Sequence, residues 1–597
     1  MVPTTLTRAG PQPRSERAMA HLQGHLMNPT PAHRWCTARP AAAPARRTAL
    51  PVTMTNALSA ALSVTRPFTR SFTRSFARSF TLTAAMLLGG CAVGPDFVLP
   101  AAPTARGYTA TALPDTTASA PGPVGAAQRL AYAHDLQADW WRLFKSPALD
   151  TLVERALAAH PSLAAAQAAL RIAQANVAAQ QGYFLPTLQA SYAPTRTKIA
   201  GNLGGSSPGA QGDGSVITTQ ANPPASQGGT SPFNAPVTYN FHTAQLSVGF
   251  VPDVFGGNAR QVEALGASAD YQFFQLQATS ITLASNVVAA AVQEALLRQQ
   301  IAVVTETVAA GEQSLAILDR QWRAGMASRL DLALQQSALA QTRQLLPPLN
   351  KQRQQTLDLL RALLGLAQDV ALPASVDLAT LALPEDLPIS VPSKLVEQRP
   401  DVRAARALLQ AASAEVGVAV ANRLPQFAIN ANAGGAAARF SQMFWGSGQF
   451  FGLGANIAQT LFDGGTLKQR QRAAEAALQQ AGAQYQLTVI TAFQNVADVL
   501  QAVLADAQAL QASDEAERAA KTALDLLKRQ SSAGYIDRLA LLGGEQVHRQ
   551  SVLALLQAQA TRLGDTVALF QALGGGWWNQ PDNLAALAAP ALQAATP

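Results

Sequence analysis

Cysteine is nearly absent from this sequence. Its 597 residues include two cysteines, Cys36 and Cys91, and Cys36 lies in a leader-like segment that we expect to be removed. Without a second cysteine, the remaining chain has no intrachain disulfide, so its stability must come from a large packed core or from an oligomer. The roughly 500 residues that follow are ample for such a core.

Charge is also scarce, because Asp, Glu, Lys and Arg make up only 13% of the sequence. The formal net charge is +8, but 11 of the 44 basic residues and only one of the 36 acids fall in residues 1–90. Residues 91–597 therefore hold 33 bases and 35 acids. We expect no nucleic-acid partner, since the basic surface that such a partner requires is missing from this part of the chain.

Catalytic and metal-binding patterns are missing as well. Beyond residue 90 there are four histidines, and their separations do not match a zinc site: His134, His160, His242 and His548. The sequence has no phosphate-binding glycine loop and no Gly-x-Ser-x-Gly nucleophile motif. We therefore expect a protein that is not an enzyme and that binds no metal ion and no dissociable cofactor.

A hydrophobic run long enough to cross a bilayer is lacking near the start of the chain. The segment Phe68–Phe97 reads FTRSFTRSFARSFTLTAAMLLGGCAVGPDF. Its apolar run, Phe80–Leu88, is much shorter than the roughly 20 residues that a spanning helix needs. A basic part, a short apolar part and small residues before a break are typical of a secretory signal.

The break before Cys91 reads Leu-Gly-Gly-Cys and resembles a bacterial lipobox, with Gly89 where Ala or Ser is usual. We therefore predict that Cys91 becomes the first residue of the mature chain and carries a covalent lipid. The alternative is that Cys91 is a small buried residue in an internal helix. On the first interpretation, residues 1–53 are a disordered leader or a mis-assigned start, 54–90 the lipoprotein signal peptide, and 91–139 a lipidated extended segment.

The rest of the chain contains two copies of one pattern. Pro161 and Pro186 are 25 positions apart, and so are Pro400 and Pro425. A Gly-Gly pair follows in each copy, and then an Ala-Gly pair after a similar interval. The first copy is longer only in 197–236, which is rich in Gly, Ser, Pro, Asn and Gln and predicts a flexible loop. We assign the first repeat to 140–365, a linker and equatorial segment to 366–392, the second repeat to 393–578, and a flexible tail to 579–597.

Each copy predicts the same order of elements. A helix, 148–182 or 393–422, is stopped by a proline. Two strands of about ten residues follow, with alternating apolar and small or polar side chains, which is typical of bilayer-crossing strands. After the Gly-Gly pair the period changes to that of a helix, over 258–323 and 466–532. Such helices are roughly 100 Å long, and about forty residues return from each.

Four membrane strands cannot close a barrel alone, since open edges in lipid leave backbone groups unpaired at several kcal/mol each. Several copies must therefore pool their strands. The residues themselves do not fix the number of copies, because two or three copies both satisfy this requirement.

The layout resembles the outer membrane efflux protein family, the TolC-like channels, and within it the NodT-type lipoprotein channels of RND tripartite efflux pumps. The matching motifs, in order, are CAVGPDF at Cys91, WWRLFKSPALDTLVERAL at Trp140, RPDV at Arg399, LFDGG at Leu461 and LGGGWW at Leu573. The resemblance covers 91–578. One departure is His160-Pro-Ser, where the family often has Asn-Pro-Asp, and we expect His160 to begin a helix rather than to carry chemistry.

The resemblance implies a mainly α fold with a membrane β-barrel portion. Each protomer would contribute four strands and long helices to a twelve-stranded trimeric barrel and a periplasmic helical barrel. The implied function is passive conduction of substrates across the outer membrane, with a homotrimer, a periplasmic adaptor, an inner-membrane RND-type pump and outer membrane lipid as partners. Alternatives are the channel of a type I protein secretion system, a helical adaptor and an exported enzyme.

Two turns after the Ala-Gly pairs join each long helix to its returning segment, and they form the predicted periplasmic tip. By resemblance, Asp331 lies where family members place a gate aspartate, and Arg329, Arg538, Asp537 and Tyr535 are the other candidates. Rings of Asp and Arg from neighbouring protomers would hold the tip shut, although exposed pairs contribute only about 0–1 kcal/mol each. The alternative is that these residues are solvated turn charges or helix caps. The second copy has no acid at the position that matches Asp331.

Overall fold

A computed structural model describes residues 93–100, 107–109, 111–132, 134–199, 206–210, 216–220 and 237–580. All described residues belong to one compact unit of the chain. The predicted leader, the signal peptide, Cys91 and the tail from residue 581 lie outside the described residues.

The described residues contain nine α-helices and eight strands. The helices are α1 (Pro147–Ala159), α2 (Pro161–Gln181), α3 (Gly257–Arg323), α4 (Arg329–Arg343), α5 (Leu346–Leu363), α6 (Pro392–Gln398), α7 (Pro400–Ala421), α8 (Thr466–Ser532) and α9 (Arg538–Ala572). The strands are β1 (Arg129–Tyr132), β2 (Thr187–Ile199), β3 (Ser206–Ala210), β4 (Val216–Gln220), β5 (Val237–Phe250), β6 (Asp386–Ile389), β7 (Gln426–Ala437) and β8 (Gln449–Ala458).

The long helices confirm the sequence-based expectation closely. Both α3 and α8 contain 67 residues, which corresponds to roughly 100 Å. Each follows a glycine in the left-handed region, Gly256 with φ 71° and Gly465 with φ 89°. That conformation is accessible to glycine without strain, which explains the Gly-Gly pair at the end of each strand pair.

The first helix of each copy is not continuous, so the expectation of single helices over 148–182 and 393–422 is wrong. The breaks fall before Pro161 and Pro400, which each occupy the first position of a new helix. Proline lacks the N–H that an uninterrupted helix would need, and its ring clashes with the preceding turn. His160 starts α2, as expected, because its Nδ1 accepts a hydrogen bond from the Ser162 amide at 3.2 Å.

The returning segments differ between the copies, although the repeated sequence pattern predicts that they are alike. In the second copy α9 runs unbroken for 35 residues. In the first copy the returning segment is divided into α4 and α5, and α5 has the Pro347–Pro348 pair in its first turn. A proline pair removes two amide donors, which accounts for the interruption.

One four-stranded antiparallel sheet joins the two copies, with the strand order β2-β5-β7-β8. These strands have 10 to 14 residues, so β2 and β5 are longer than predicted. Register pairs Leu246 with Ala433, and Ala433 with Phe451, on one face of the sheet. The predicted flexible loop over 197–236 is only partly correct, because it contains the β3–β4 hairpin.

A second short sheet connects the segments outside the repeats. β1 and β6 pair in parallel, and the pair is reinforced by a salt bridge from Arg129 Nε to Asp386 Oδ1 at 2.7 Å. The largest described core lies beside this sheet, where the indole of Trp140 and the ring of Phe144 pack against Phe570 with centroids 5.5 and 6.3 Å apart. This core ties the N-terminal segment and the linker to the middle of the long helices.

Candidate functional site: the helix tips and the membrane junction

The two tip turns close in the same way. Gly325 and Gly534 both lie in the left-handed region, with φ 72° and 76°. The residue after each glycine donates its amide to a carbonyl five residues earlier, Met326 to Gln321 at 2.8 Å and Tyr535 to Gln530 at 3.0 Å. These hydrogen bonds satisfy the last carbonyls of α3 and α8 and turn the chain back toward the next helix.

Asp331, in the first turn of α4, forms a reciprocal cap with Ser328, the residue before the helix. The Asp331 amide donates to Ser328 Oγ at 3.0 Å, and the Ser328 amide and hydroxyl donate to Asp331 Oδ2 at 3.1 and 2.6 Å. The Ser328 hydroxyl, and after it the Ser328 amide, lower the pKa of the exposed Asp331 carboxyl below its usual value. Ser328 was not singled out from the sequence, although a Ser three residues before an acid is a capping-box signal.

The second tip uses its acid differently. Asp537 is itself the residue before α9, and its Oδ1 accepts the Ala540 amide at 2.9 Å. Ala540 is the position that matches Asp331, so the second copy has its acid three residues earlier, at the site that Ser328 occupies in the first. Both tip acids therefore act as helix caps within one protomer, as the alternative interpretation expects.

The remaining gate candidates surround these caps. Arg329 and Arg538 are the first residues of α4 and α9. Arg329 is exposed, whereas the side chain of Arg538 lies outside the described part of the chain. Tyr535 is 84% exposed. A ring of Asp–Arg contacts between protomers stays a prediction, because such contacts belong to an assembly of several copies.

The opposite ends of the long helices are also capped by matching acids. Asp253 accepts the amides of Asn258 and Ala259 at 3.0 and 2.7 Å, and Asp463 accepts those of Gly465 and Leu467 at 2.8 and 2.7 Å. The amide of Leu467, followed by that of Gly465, lowers the pKa of Asp463. These caps explain the acid of the LFDGG motif as a device that starts a 67-residue helix directly after a strand.

The start of the described chain is fixed at this same junction. The Val93 amide donates to Phe255 O at 3.2 Å, just before α3. Buried Arg260 donates through Nε to Val93 O at 3.3 Å and through Nη2 to Asp96 Oδ1 at 3.0 Å. Position 93 is thus held where strand β5 meets helix α3, two residues after Cys91. The sequence gives no signal for this role of Arg260, because Val93 and Asp96 lie more than 160 residues away from it.

Successive side chains along each strand point to opposite faces of the sheet, and the two faces differ in polarity. One face carries exposed apolar side chains, among them Phe451 at 87% exposure and Leu453 at 79%. The other face carries Gln189, Asn430 and Asn432. A sheet with one exposed apolar face and one polar face is typical of a membrane barrel whose polar side faces an aqueous lumen.

Exposed apolar residues continue where the strands end and the helices begin. They include Leu461 and Phe462, both more than 90% exposed, and Phe184 and Leu185 after α2. Aromatic and apolar residues at this level are typical of a membrane–water interface. We therefore expect one boundary of the membrane at the level of the strand–helix junction.

Among the helices that the structure describes, three contain apolar stretches that are long enough to cross a membrane by length and composition: α3, α7 and α8. In α3, 72% of the relevant window is buried within the chain, but in α8 the share is only 28%. Internal packing therefore accounts for the apolar stretch of α3. The stretch of α8 is left largely uncovered by its own chain.

An open-edged, lipid-facing sheet that continues into 67-residue helices defines one protomer of a membrane β-barrel with a long helical extension. The chain belongs to the outer membrane efflux protein family, whose model matches residues 152–366 and 391–575. Those two blocks correspond to the two repeats. The chain is thus an outer membrane efflux protein, and the resemblance stated from its motifs is confirmed.

Known relatives cover most of the chain. It is 29% identical over 438 residues to the pyoverdine export outer membrane protein OpmQ of Pseudomonas putida, covering 73% of this chain and 88% of that protein. It is 27% identical to the probable efflux pump outer membrane protein TtgC of the same species, covering 83% and 95%. The outer membrane channel CmeC of Campylobacter jejuni shares the fold, with a TM-score of 0.69, 18% identity, and coverage of 83% and 98%.

Proposed function

We propose that this protein is a passive conduit, the outer membrane channel of a tripartite efflux system. The observation that carries the proposal is the four-stranded sheet with two outer edges, β2 and β8, attached to two helices of 67 residues. Unpaired edges in lipid are too costly to persist, so the sheet must be completed by other copies. The completed barrel would open directly into a second barrel made of helices.

Three copies would give the twelve-stranded homotrimer that the family resemblance implies. The uncovered apolar stretch of α8 supports an assembly, because exposed Leu487 and Ile490 on this helix need a partner. Exposed Ile172 on α2 and Leu408 on α7 are further candidates for the contact with a neighbouring protomer. The trimer would bury these side chains in the wall of the helical barrel.

A conduit of this kind requires no catalytic group. The polar and small residues of the lumen face favour a wide pore with little selectivity, so the choice of substrate would rest with an inner-membrane RND-type pump and a periplasmic adaptor. The relatives are named for export of pyoverdine and as an efflux pump component, and we extend to this chain only the general role of export.

The tips are the proposed contact with the adaptor. Each tip exposes apolar side chains beside its cap, Met326 and Leu330 on the first and Tyr535 and Leu539 on the second. Exposed apolar groups at the far end of a long helix pair are typical of a docking surface for another protein. The same turns would form the gate, with Asp331, Arg329, Arg538, Asp537 and Tyr535 arranged around the axis.

Lipidation of Cys91 is the proposed membrane anchor. The contacts of Val93 and Arg260 support it, because they hold the chain two residues after Cys91 at the level where the strands leave the membrane. Acyl chains on Cys91 would enter the adjacent leaflet. Mass spectrometry of the N-terminal peptide should find the lipid in the wild type and not in Cys91→Ser.

Single-channel conductance in planar bilayers tests both the conduit and its gate. We expect the wild type to be mostly closed and Asp331→Ala with Arg538→Ala to conduct. The matched control is Arg472→Ala with Glu475→Ala, which removes an exposed base and an exposed acid near the other end of α8 and should leave the channel closed.

The outcomes separate the two parts of the proposal. If wild type and the double variant conduct alike, the conduit stands and the gate residues are wrong. If the control opens the channel as much as the tip variant, the effect is not specific to the tip. If folded, lipidated protein never conducts in any variant, the conduit itself is refuted.

A further inference from the structure

The hairpin between β7 and β8 folds back onto the outward, apolar face of the sheet. A 3-10 helix, Phe440–Phe444, forms this contact, and its Met443 is buried. A Cβ on Gly435 would lie 2.3 Å from the carbonyl oxygen of Met443, so only glycine permits the approach. The hairpin is therefore a fitted part of the sheet surface.

Aromatic side chains fix this hairpin in place. Tyr192 and His242 stack with an interplanar angle of 9° and centroids 6.2 Å apart, and Tyr192 Oη lies 2.9 Å from His242 Nδ1. Phe440 meets both rings edge-on, at 5.7 and 6.4 Å. We call Phe440–Phe444 together with Tyr192 and His242 the outer clasp. Its Phe440 and Phe444 remain more than half exposed.

A cavity of about 810 Å³ opens beside the outer clasp. Small residues on the outward face form its floor, Ala190, Ala244, Ala433 and Gly435. Leu246, Phe444 and Phe451 form the walls. This outer groove lies on the same face as the exposed Leu453 and Ile457, so it is continuous with the surface that the barrel presents to lipid.

Basic residues lie just beyond the outer groove. The outward row of β2 reads Leu188, Ala190, Tyr192, Pro194, and then Arg196 and Lys198, both exposed. Arg196 is four residues past Tyr192, about 13 Å along a strand. Exposed Arg439 directly precedes Phe440. The four strands of the sheet and the hairpin 438–448 contain no Asp or Glu, so nothing on them neutralises these three cations.

The cations lie toward the end of the sheet that is farthest from the helices, and the outer groove lies beneath the β7–β8 hairpin, at the same end of this shorter strand pair. β2 runs away from α2, whereas β5 and β8 run back toward α3 and α8. In an outer membrane protein whose helices extend into the periplasm, this end belongs to the outer leaflet. The apolar part of the surface faces acyl chains there, and the basic part lies at the depth of the headgroups.

We propose that this surface binds one phosphorylated lipid of the outer leaflet. An acyl chain occupies the outer groove beneath the outer clasp, and Arg196, Lys198 and Arg439 hold the phosphate of the headgroup. Arginine and lysine at the membrane surface attract anionic headgroups, and arginine binds phosphate oxygens in a bidentate manner. A neighbouring protomer would pair with the backbone edges of β2 and β8, which leaves the outward side chains of all four strands, and with them the outer groove, facing lipid. The proposal needs the barrel to lie in the outer membrane but does not depend on the gate or on the cargo.

The test uses the full-length lipidated oligomer in detergent, titrated with diphosphoryl lipid A and, separately, with phosphatidylcholine. We expect Arg196→Gln with Lys198→Gln to weaken lipid A binding by about 10- to 30-fold, from roughly a factor of five for each basic residue. Phe440→Ala with Phe444→Ala should weaken binding of lipid A through the lost groove wall. Lys521→Gln with Lys528→Gln removes the same charge from the far part of α8 and should leave the affinity unchanged.

Thermal unfolding in detergent at the same temperature as the wild type shows that each variant is folded. The proposal is overturned if the Arg196 and Lys198 variant binds lipid A as tightly as the wild type, or if the Lys521 and Lys528 control loses as much affinity. It is also overturned if inorganic phosphate at millimolar concentration displaces lipid A completely, since the site would then hold a free anion. Equal affinity for phosphatidylcholine, whose phosphate charge is balanced by choline, would likewise rule out recognition of an anionic phosphorylated headgroup.

Discussion

The long helix of the first repeat, α3, and that of the second, α8, have the same 67 residues, yet their central polar groups differ in sign. Arg298 lies 41 residues after Gly257, and Asp506 lies 41 residues after Gly465. The returning helices align in the same way, since Arg353 and Arg562 each lie 24 residues after the first residue of α4 or α9. The two repeats therefore share a backbone plan but not an electrostatic one.

In the first repeat the polar cluster is centred on an acid. Buried Glu294 accepts a hydrogen bond from Arg353 Nε at 2.9 Å and lies 3.9 Å from Arg298. Arg298 also donates through Nη2 to the carbonyl of Val376, in the linker between the repeats. Arg298, on the first long helix, thus holds the linker against α3.

In the second repeat the cluster is centred on a base. Fully buried Arg562 donates to Val124 O at 3.1 Å, to Thr117 Oγ1 at 3.1 Å and to Ala126 O at 2.8 Å. Here an arginine of the returning helix fastens the N-terminal segment. Each repeat thus anchors one connecting segment. Arg298 of α3 holds the linker, and Arg562 of α9 holds the N-terminal segment, because these are the segments that lie against the two side chains.

The largest expected effect comes from moving the proline break of the first repeat into the second. Leu556 matches Pro347, and it packs against the main core. Leu556→Pro should destabilise the protein by about 4 kcal/mol, roughly 3 from an interior proline and the rest from lost packing. Thermal unfolding in detergent and the yield of oligomer measure this. The reverse change, Pro347→Ala with Pro348→Ala, should alter stability by less than about 1 kcal/mol. If both changes lower the stability equally, the proline break does not account for the difference between the two repeats.

The second prediction compares the anchoring arginines. Arg562→Met should cost about 3 kcal/mol, because two buried acceptors and one part-buried acceptor lose their donor and Asp506 loses the charge of Arg562. Arg298→Met should cost about 1 kcal/mol, since its side chain is about one-third exposed and Glu294 keeps Arg353. Thermal unfolding of both variants measures which substitution costs more stability. A larger loss from Arg298→Met would contradict the view that the N-terminal segment depends on Arg562.

The elements of the repeats follow from the sequence because their signals are local. Stretches of more than sixty residues with little Gly or Pro between two glycine turns can only be long helices, and strict alternation identifies the four sheet strands. The proline breaks at Pro161, Pro400 and Pro347 are equally local, and they were misjudged because the helical period continues on both sides of each proline.

The contacts that anchor the connecting segments, in contrast, join residues that are far apart in the sequence. Arg129 pairs with Asp386 across 257 positions, and Arg562 reaches Thr117 across 445. No periodicity or spacing connects such residues, since they meet only after the two repeats have packed together. The tip caps are predictable only in part. Ser328 and Asp537 are recognisable as helix caps from the local sequence pattern, but any contact that they make between protomers depends on the assembly.

The smallest expected effect is a pH dependence confined to the second repeat. Burial, followed by the neighbouring Asp565, raises the pKa of Asp506 to about 7, while Arg562 opposes the shift. A carboxyl whose folded pKa is raised contributes stability that is fully present below its unfolded value near 3.8 and is lost as pH rises through 7. The protein should therefore become less stable between pH 5 and pH 8 through this group.

Asp506→Asn should flatten that slope and raise the melting temperature at pH 8 by about 1–3 °C, while leaving it nearly unchanged at pH 4.5. Arg298→Gln is the matched control in the first repeat, because a guanidinium does not titrate in this range and the slope should persist. The effect of Asp506 is measured as the difference between the melting temperatures of the variant and of the wild type at each pH. An unchanged slope in Asp506→Asn would show that the acid pair between α8 and α9 is already charged at neutral pH, and that the two repeats respond to pH alike.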